Sequence, residues 1–197
     1  MSVKEPQYII AIGASAGGLE EINSFFDHTP LDGVSYVIVQ HLSPDFKSRM
    51  AELLARHSKL VIMEAENAMT VNANQVYLIP NDKFMTINKG KLYLSKKDKA
   101  HGPNLTINRF FNSLAADSGR KAIGIILSGL GSDGTLGIKS IKNAGGMVIA
   151  RNPETTEFNS MPSNAIATGL VDFVLEPSLM PDIIENYVKH SGNIFIG

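Results

Sequence analysis

The 197-residue chain contains no cysteine, which excludes a disulfide framework, a thiol nucleophile and thiolate-ligated zinc or iron–sulfur centres together. Any covalent nucleophile has to be a hydroxyl, amine or carboxylate. Nor is there an excess of charge: 18 Lys and Arg stand against 19 Asp and Glu, a formal net charge of -1. Without a net positive field nothing generally drives counterion release from phosphates, so no nucleic-acid partner is expected, although a local basic patch stays open. No apolar run approaches the ~18 residues of a membrane span. The polar start MSVKEPQ runs straight into YIIAIG, without the cationic start, long apolar middle and cleavage site of a signal peptide. The expectation is a cytoplasmic protein with no membrane insertion. Nothing repeats at a fixed period and no segment is biased enough to be a linker. The length suits one domain with a sizeable core, residues 1–197.

What is present alternates between two periodicities. Tyr8 to Ile12 is a short apolar run that meets the small-residue turn Gly13-Ala14-Ser15-Ala16-Gly17-Gly18, after which Leu19, Ile22, Phe25 and Phe26 recur at helical spacing. Tyr36 to Gln40 is a second buried-strand run, ending at His41 and the Ser43-Pro44 break before a helix with Met50, Leu53 and Leu54 inward. Leu60 to Met63 reads as a third strand. Over Val71 to Ser95, the runs Val76–Ile79, Phe84–Ile87 and Leu92–Leu94 are split by Pro80-Asn81-Asp82 and Asn88-Lys89-Gly90, a pattern of antiparallel hairpins. A helix with Leu105, Phe110, Phe111 and Leu114 inward follows, then the strand Ala122–Leu127, apolar on both faces. The loop Ser128 to Thr135 leads into a helix with Leu136, Ile138 and Ile141 inward. Met147–Ala150, a short helix near Asn164–Ala167, Val171–Leu175 and a helix over about Ser178–Lys189 complete the chain. The pattern predicts an α/β fold: a doubly wound, mostly parallel sheet with helices on both faces and an antiparallel hairpin subregion.

In such sheets reacting groups collect at the carboxyl ends of strands, near a switch in strand order. Three strand-end loops hold reactive residue types: Ser15, His41 and Asp133. Gly13-x-Ser15-x-Gly17 has the spacing of a nucleophile elbow, whose small residues let a sharp turn lift the hydroxyl clear of the sheet. The competing reading is that Ser15 caps the following helix. A dinucleotide turn fits less well, because Ser15 stands where the second glycine belongs and the second strand ends in Gln40-His41 rather than an acid. Of the five histidines, His28, His57 and His190 fall near helix ends, where a carbonyl or dipole partner accounts for them. His41, at a strand end one strand from Ser15, is the candidate general base. Asp133 sits among Gly129, Gly131 and Gly134. It either caps the helix beginning near Thr135 or orients the His41 ring.

Together these segments resemble the catalytic domain of the CheB protein-glutamate methylesterases. The resemblance rests on Ile12-Gly13-Ala14-Ser15-Ala16-Gly17-Gly18, Gln40-His41, Ala65-Glu66-Asn67, Tyr77 to Lys83, Leu127 to Gly134 and Phe158-Asn159-Ser160-Met161-Pro162, in that order over about residues 8 to 190. It implies a serine hydrolase with Ser15 as nucleophile, His41 as general base and Asp133 as orienting carboxylate. It further implies release of methanol from methyl-esterified glutamates on chemoreceptor cytoplasmic helices, deamidation of receptor glutamines, and no metal or organic cofactor. The partners implied are methylated chemoreceptor (methyl-accepting chemotaxis protein) helices and a separate receiver or other chemotaxis protein. Backbone amides of Ala16 and the Gly129–Gly131 stretch are the first candidates for receiving an oxyanion, and the hairpin region Val71 to Ser95 is a candidate cleft wall. Ala16, Leu42 and Leu130 depart from the family's usual Thr, Met and Met; Leu130 for Met keeps the volume and the backbone N–H. Family members usually carry an N-terminal receiver domain, whereas about seven residues precede the first strand here. A freestanding esterase and an excised domain both fit. A catalytically silent docking module of the same fold is the alternative function.

Overall fold

The apolar run that opens the chain forms β1 (Ile9–Ala14), every residue of it buried, and Gly17 turns it into α1 (Gly18–Phe26). β2 (Ser35–Gln40) follows. The computed structural model describes residues 5–40, 50–97 and 105–192. Next come α2 (Met50–Leu54), β3 (Val61–Glu64), β4 (Met69–Thr70), β5 (Gln75–Leu78), β6 (Lys83–Asn88) and β7 (Lys91–Lys96). The remainder is α3 (Thr106–Ser118), β8 (Ala122–Ile126), α4 (Thr135–Asn143), β9 (Met147–Arg151), α5 (Ser160–Ile166), β10 (Phe173–Leu175) and α6 (Met180–Lys189).

Seven strands form one sheet in the order β10-β9-β8-β1-β2-β5-β3, and every pairing in it is parallel. From β1 the chain moves toward β2, and from the neighbouring β8 it moves the other way toward β9. The boundary between β1 and β8 is therefore the switch in strand order, the place where a crevice opens beyond the strand ends. Because parallel crossovers are right-handed, opposite directions of travel put the helices on opposite faces. Accordingly Ile22, Phe25 and Phe26 of α1 pack with Ile10 and Ile12 of β1 and with Ile184 and Val188 of α6. On the other face Ile9 and Ala11 meet Ile107, Phe110 and Phe111 of α3 and Ile138 and Ile141 of α4. Each such fully buried side chain is worth about 1.5–3 kcal/mol relative to exposure.

Three findings adjust the reading from sequence. Val76–Ile79 does not belong to a hairpin; β5 lies parallel between β2 and β3 in the main sheet. Its residues are apolar toward both faces, Val76 and Leu78 entering one core and Tyr77 and Ile79 the other, as a doubly covered strand requires. The antiparallel subregion is the separate sheet β4-β7-β6, joined through the β6–β7 hairpin. It is docked on α3 by the Ile87 amide on Ser113 Oγ and the Gly90 amide on Asp117 Oδ1. Leu136 points outward at 55% exposure, and α5 starts at Ser160, earlier than its apolar spacing indicates. Among the described residues no helix is long and apolar enough to cross a membrane.

Candidate active site

Ser15 is the first residue beyond β1. Its amide donates to Ser128 O at 2.9 Å, and its carbonyl accepts from Gly18 N at 3.1 Å, so backbone bonds alone close the turn. Gly17, at φ +77°, occupies the position before α1, and no side chain caps that helix. The capping role considered for Ser15 is thus not the one it takes. Close approach explains why its surroundings are small. A Cβ on Gly129 would lie 2.7 Å from Ser15 Cβ and 2.4 Å from Met161 Sδ, and one on Gly17 would lie 2.7 Å from the Phe158 ring.

Asp133 lies beyond the adjacent strand, β8. The residue is 8% exposed, and its carboxylate does not cap α4; the residue before that helix is Gly134, at φ +99°. Instead Asp133 reaches across to α3, where Oδ2 accepts from Ile107 N and Oδ1 from Asn108 N, both at 2.9 Å. The positive end of a helix suits an anion held by two charge-assisted bonds. The arrangement is reciprocal, because Asn108 Oδ1 accepts from Gly134 N at 3.0 Å and Gly137 N at 2.8 Å at the start of α4. The first turn of α3 is satisfied by Asp133 from the loop before α4, and that of α4 by Asn108 from α3, so that two amides of one helix fix the carboxylate.

An ionic network, buried at Arg151, mostly buried at Glu21 and partly open to solvent at Glu176, braces the stretch between Ser15 and Asp133. Ser128 donates from N to Glu21 Oε2 at 2.9 Å and from Oγ to Glu21 Oε1 at 2.6 Å. Arg151, 7% exposed, pairs through Nε with Glu21 at 2.8 Å and through a terminal nitrogen with Glu176 at 2.7 Å. Burial opposes the charge on Glu176, but the Thr155 hydroxyl and the Arg151 guanidinium outweigh it and hold its carboxyl below the usual range. The segment from Phe158 to Asn164 secures the next residues. Gly129 N donates to Phe158 O at 2.9 Å, Gly131 N to Ser160 Oγ at 3.0 Å and Asn164 Nδ2 to Gly131 O at 2.9 Å. Of the amides considered for an oxyanion, those of Gly129 and Gly131 are therefore engaged. The amides of Ala16 and Leu130 have no acceptor among the described residues.

His41 lies outside the described residues. The last registered pair of β1 and β2 is Ala14 with Gln40, and the residues that follow these two in the sequence are Ser15 and His41. Gln40 is 2% exposed, and both polar atoms of its amide are buried without a partner among the described residues. Of the other described histidines, two bond a carbonyl one turn back, as expected near helix ends, and the third bonds a carboxylate 30 positions away. His28 and His190 bond the carbonyls of Ser24 and Asn186, and His57 bonds Asp27 at 2.8 Å. Reading the sequence missed Asn108, Glu21 and Arg151. The bonds that tie Asn108 to the start of α4, and Glu21 to Ser128 and Arg151, span 26 to 130 positions, and no local spacing signals such a bond. Only the Phe158–Pro162 run stood out, as part of a family pattern.

These features define a doubly wound α/β domain that presents a serine and a helix-anchored carboxylate on adjacent strand ends at its switch point. The model of the CheB methylesterase family matches residues 10–184, and the chain belongs to that family. It is similar to the Thermotoga maritima CheB methylesterase catalytic domain seen by crystallography, with a TM-score of 0.82 and 32% identity, covering 90% of this chain and 97% of that one. It is 34% identical over 176 residues to the protein-glutamate methylesterase/protein-glutamine glutaminase of Salmonella typhimurium, covering 86% of this chain and 50% of that protein. It is 32% identical over 188 residues to that of Methanococcus maripaludis, covering 93% and 52%. An uncharacterized 104.1 kDa protein of Rhodobacter capsulatus is 44% identical over 126 residues, 64% of this chain and 13% of that protein. The chain spans about half the length of the curated methylesterases it matches.

Proposed function

We propose that this chain is a single serine-hydrolase domain, residues 1–197, that demethylates glutamate methyl esters on chemoreceptor cytoplasmic helices and deamidates receptor glutamines. The observation that carries the reading is the juxtaposition at the switch point. Ser15 and Asp133 follow adjacent strands, with Ser15 Cβ against Gly129 and the Asp133 carboxylate held by the α3 amides. In this reading Ser15 Oγ attacks the ester carbonyl while His41 takes the hydroxyl proton. The amides of Ala16 and Leu130 receive the developing oxyanion. Collapse of the tetrahedral adduct breaks the bond to the methoxy oxygen, and His41 returns the proton so that methanol leaves. Water, deprotonated by His41, then releases the glutamate and restores Ser15. Asp133 holds the His41 ring in the tautomer this cycle needs.

In this reading the reaction takes place in the cytoplasm, with a receiver domain or another chemotaxis protein as controlling partner. The decisive measurement is methanol release from a methylated receptor fragment by wild type, Ser15→Ala and His41→Gln. A loss of at least about 10³-fold in both variants is expected, and undiminished release by Ser15→Ala sinks the assignment. A fluorophosphonate that leaves Ser15 unlabelled in folded wild type points instead to a silent docking module.

A further inference from the structure

Positive charge is concentrated on one element of a chain whose total charge nearly cancels. Residues 82–97, the β6–β7 hairpin and its flanks, hold Lys83, Lys89, Lys91, Lys96 and Lys97 against the single acid Asp82. Lys83 and Lys96 stand directly opposite each other in the ladder, a pairing of like charges that weakens a sheet by itself. At the same end, the Phe84 ring carries the Arg109 guanidinium 4.0 Å from its centroid and the Lys97 ammonium at 5.9 Å. Arg109 is the fourth residue of α3 and directly follows Ile107 and Asn108, whose amides hold Asp133. The cluster therefore borders the candidate active site. Burial draws the Lys97 ammonium below its ordinary pKa, while the charges of Asp82 and Asp133 draw it back up.

Stacking on an aromatic face fixes the guanidinium plane and leaves its N–H edge directed away from the ring, where it can grip a carboxylate with two parallel bonds. Arg109 is exposed, and among the described residues no carboxylate pairs with it, with Lys83 or with Lys96. We propose that Arg109, stacked on Phe84, and the adjoining Lys97 form a carboxylate-binding site for acidic side chains that flank the reacting ester on a substrate helix. This rests on the methylesterase reading, and charge complementarity identifies the occupant. Each ester removed from a helix bearing several methylatable glutamates leaves a carboxylate. Residues three, four and seven positions from an ester lie on its face of the helix. The cluster thus favours a helix already partly demethylated over one fully esterified.

The test uses helical receptor fragments with one methyl-esterified glutamate, flanked at three, four and seven positions by Glu or by Ala. With the Glu-flanked fragment, Arg109→Gln and Lys97→Gln are each expected to raise KM roughly five-fold with kcat within two-fold. The wild-type preference for Glu over Ala flanks should disappear in the double variant, and so should its weakening by salt. Unchanged KM in both variants overturns the proposal, as does equal wild-type KM for the two fragments. Variants that retain the Glu preference but lose binding to anionic vesicles or to nucleic acid also overturn it, by assigning the patch to another partner. Where Arg109→Gln does not fold, Lys97→Gln and the exchange of flanks decide the matter. If wild type hydrolyses neither fragment, the methylesterase reading fails on its own. Fluorescence anisotropy of the same peptides then tests the carboxylate site directly, and equal affinity for Glu and Ala flanks overturns it.

Discussion

The turn holding Ser15 and the loop holding Asp133 lie on neighbouring strand ends but are stabilised by different means. The Ser15 turn is closed by two backbone bonds and by close contacts with Gly129 and Phe158, and no side chain caps the helix it opens. The Asp133 loop is bound through side chains: the carboxylate on the amides of α3, Asn108 on those of α4, and the Glu21–Arg151–Glu176 network behind Ser128. The contrast follows from what each residue has to offer. A hydroxyl committed to a cap is occupied at the moment it is needed, so steric fit and main-chain bonds have to set its position. A carboxylate has several lone-pair positions and can be anchored by two of them while others remain. Steric positioning is intolerant of added atoms, whereas a side-chain network is vulnerable to loss of charge.

The largest effect is expected at the steric side. Gly129→Ala drives a methyl group against Ser15 Cβ, which the backbone cannot easily yield, and should slow fluorophosphonate labelling of Ser15 by about 10²-fold. Labelling at the wild-type rate removes the claim that contact positions the serine. Next comes the network. Arg151→Met leaves the Glu21 carboxylate buried without its cation, a loss of about 3 kcal/mol. A domain of this size should then melt about 6–12 °C lower. Adding Glu21→Gln should recover part of the loss, and a thermal scan showing no recovery means that the two charges are not coupled. The smallest effect concerns Glu176, whose carboxyl is held below the usual range. An acid with a lowered folded-state pKa stabilises above its unfolded pKa and stops doing so as pH falls through the folded value. Glu176→Gln should therefore melt about 2 °C below wild type at pH 7. Melting curves taken below pH 4.5 should converge, and a gap that stays constant into acid argues against the ionic contribution.

Much of this architecture was legible in the chain itself. Apolar runs at period two and 3.6 announced the strands and helices, because burial on a sheet or one helix face demands those spacings. Small residues at Gly13, Gly17 and Gly129 marked places where the backbone is closely approached by the side chains of Ile107, Phe158, and Met161 with Ser15, respectively. Strand partners were less visible: β5 reads locally like half of a hairpin, since periodicity carries no information on which neighbour a strand pairs with or in which direction.

For the site, residue types and strand-end positions pointed to Ser15 and Asp133 as candidates, and Gln40-His41 to a third. What each polar group does was decided by the fold. Asp133 precedes a helix in the chain and was a candidate cap for it, yet its carboxylate is bound by first-turn amides of a different helix, 25 and 26 residues earlier. Asn108 caps the helix that Asp133 was expected to cap, and Arg151 meets Glu21 across 130 residues. Such pairings arise when the sheet folds and brings remote loops to one edge, so composition and local spacing establish the chemistry available, while three-dimensional proximity alone establishes which groups engage one another.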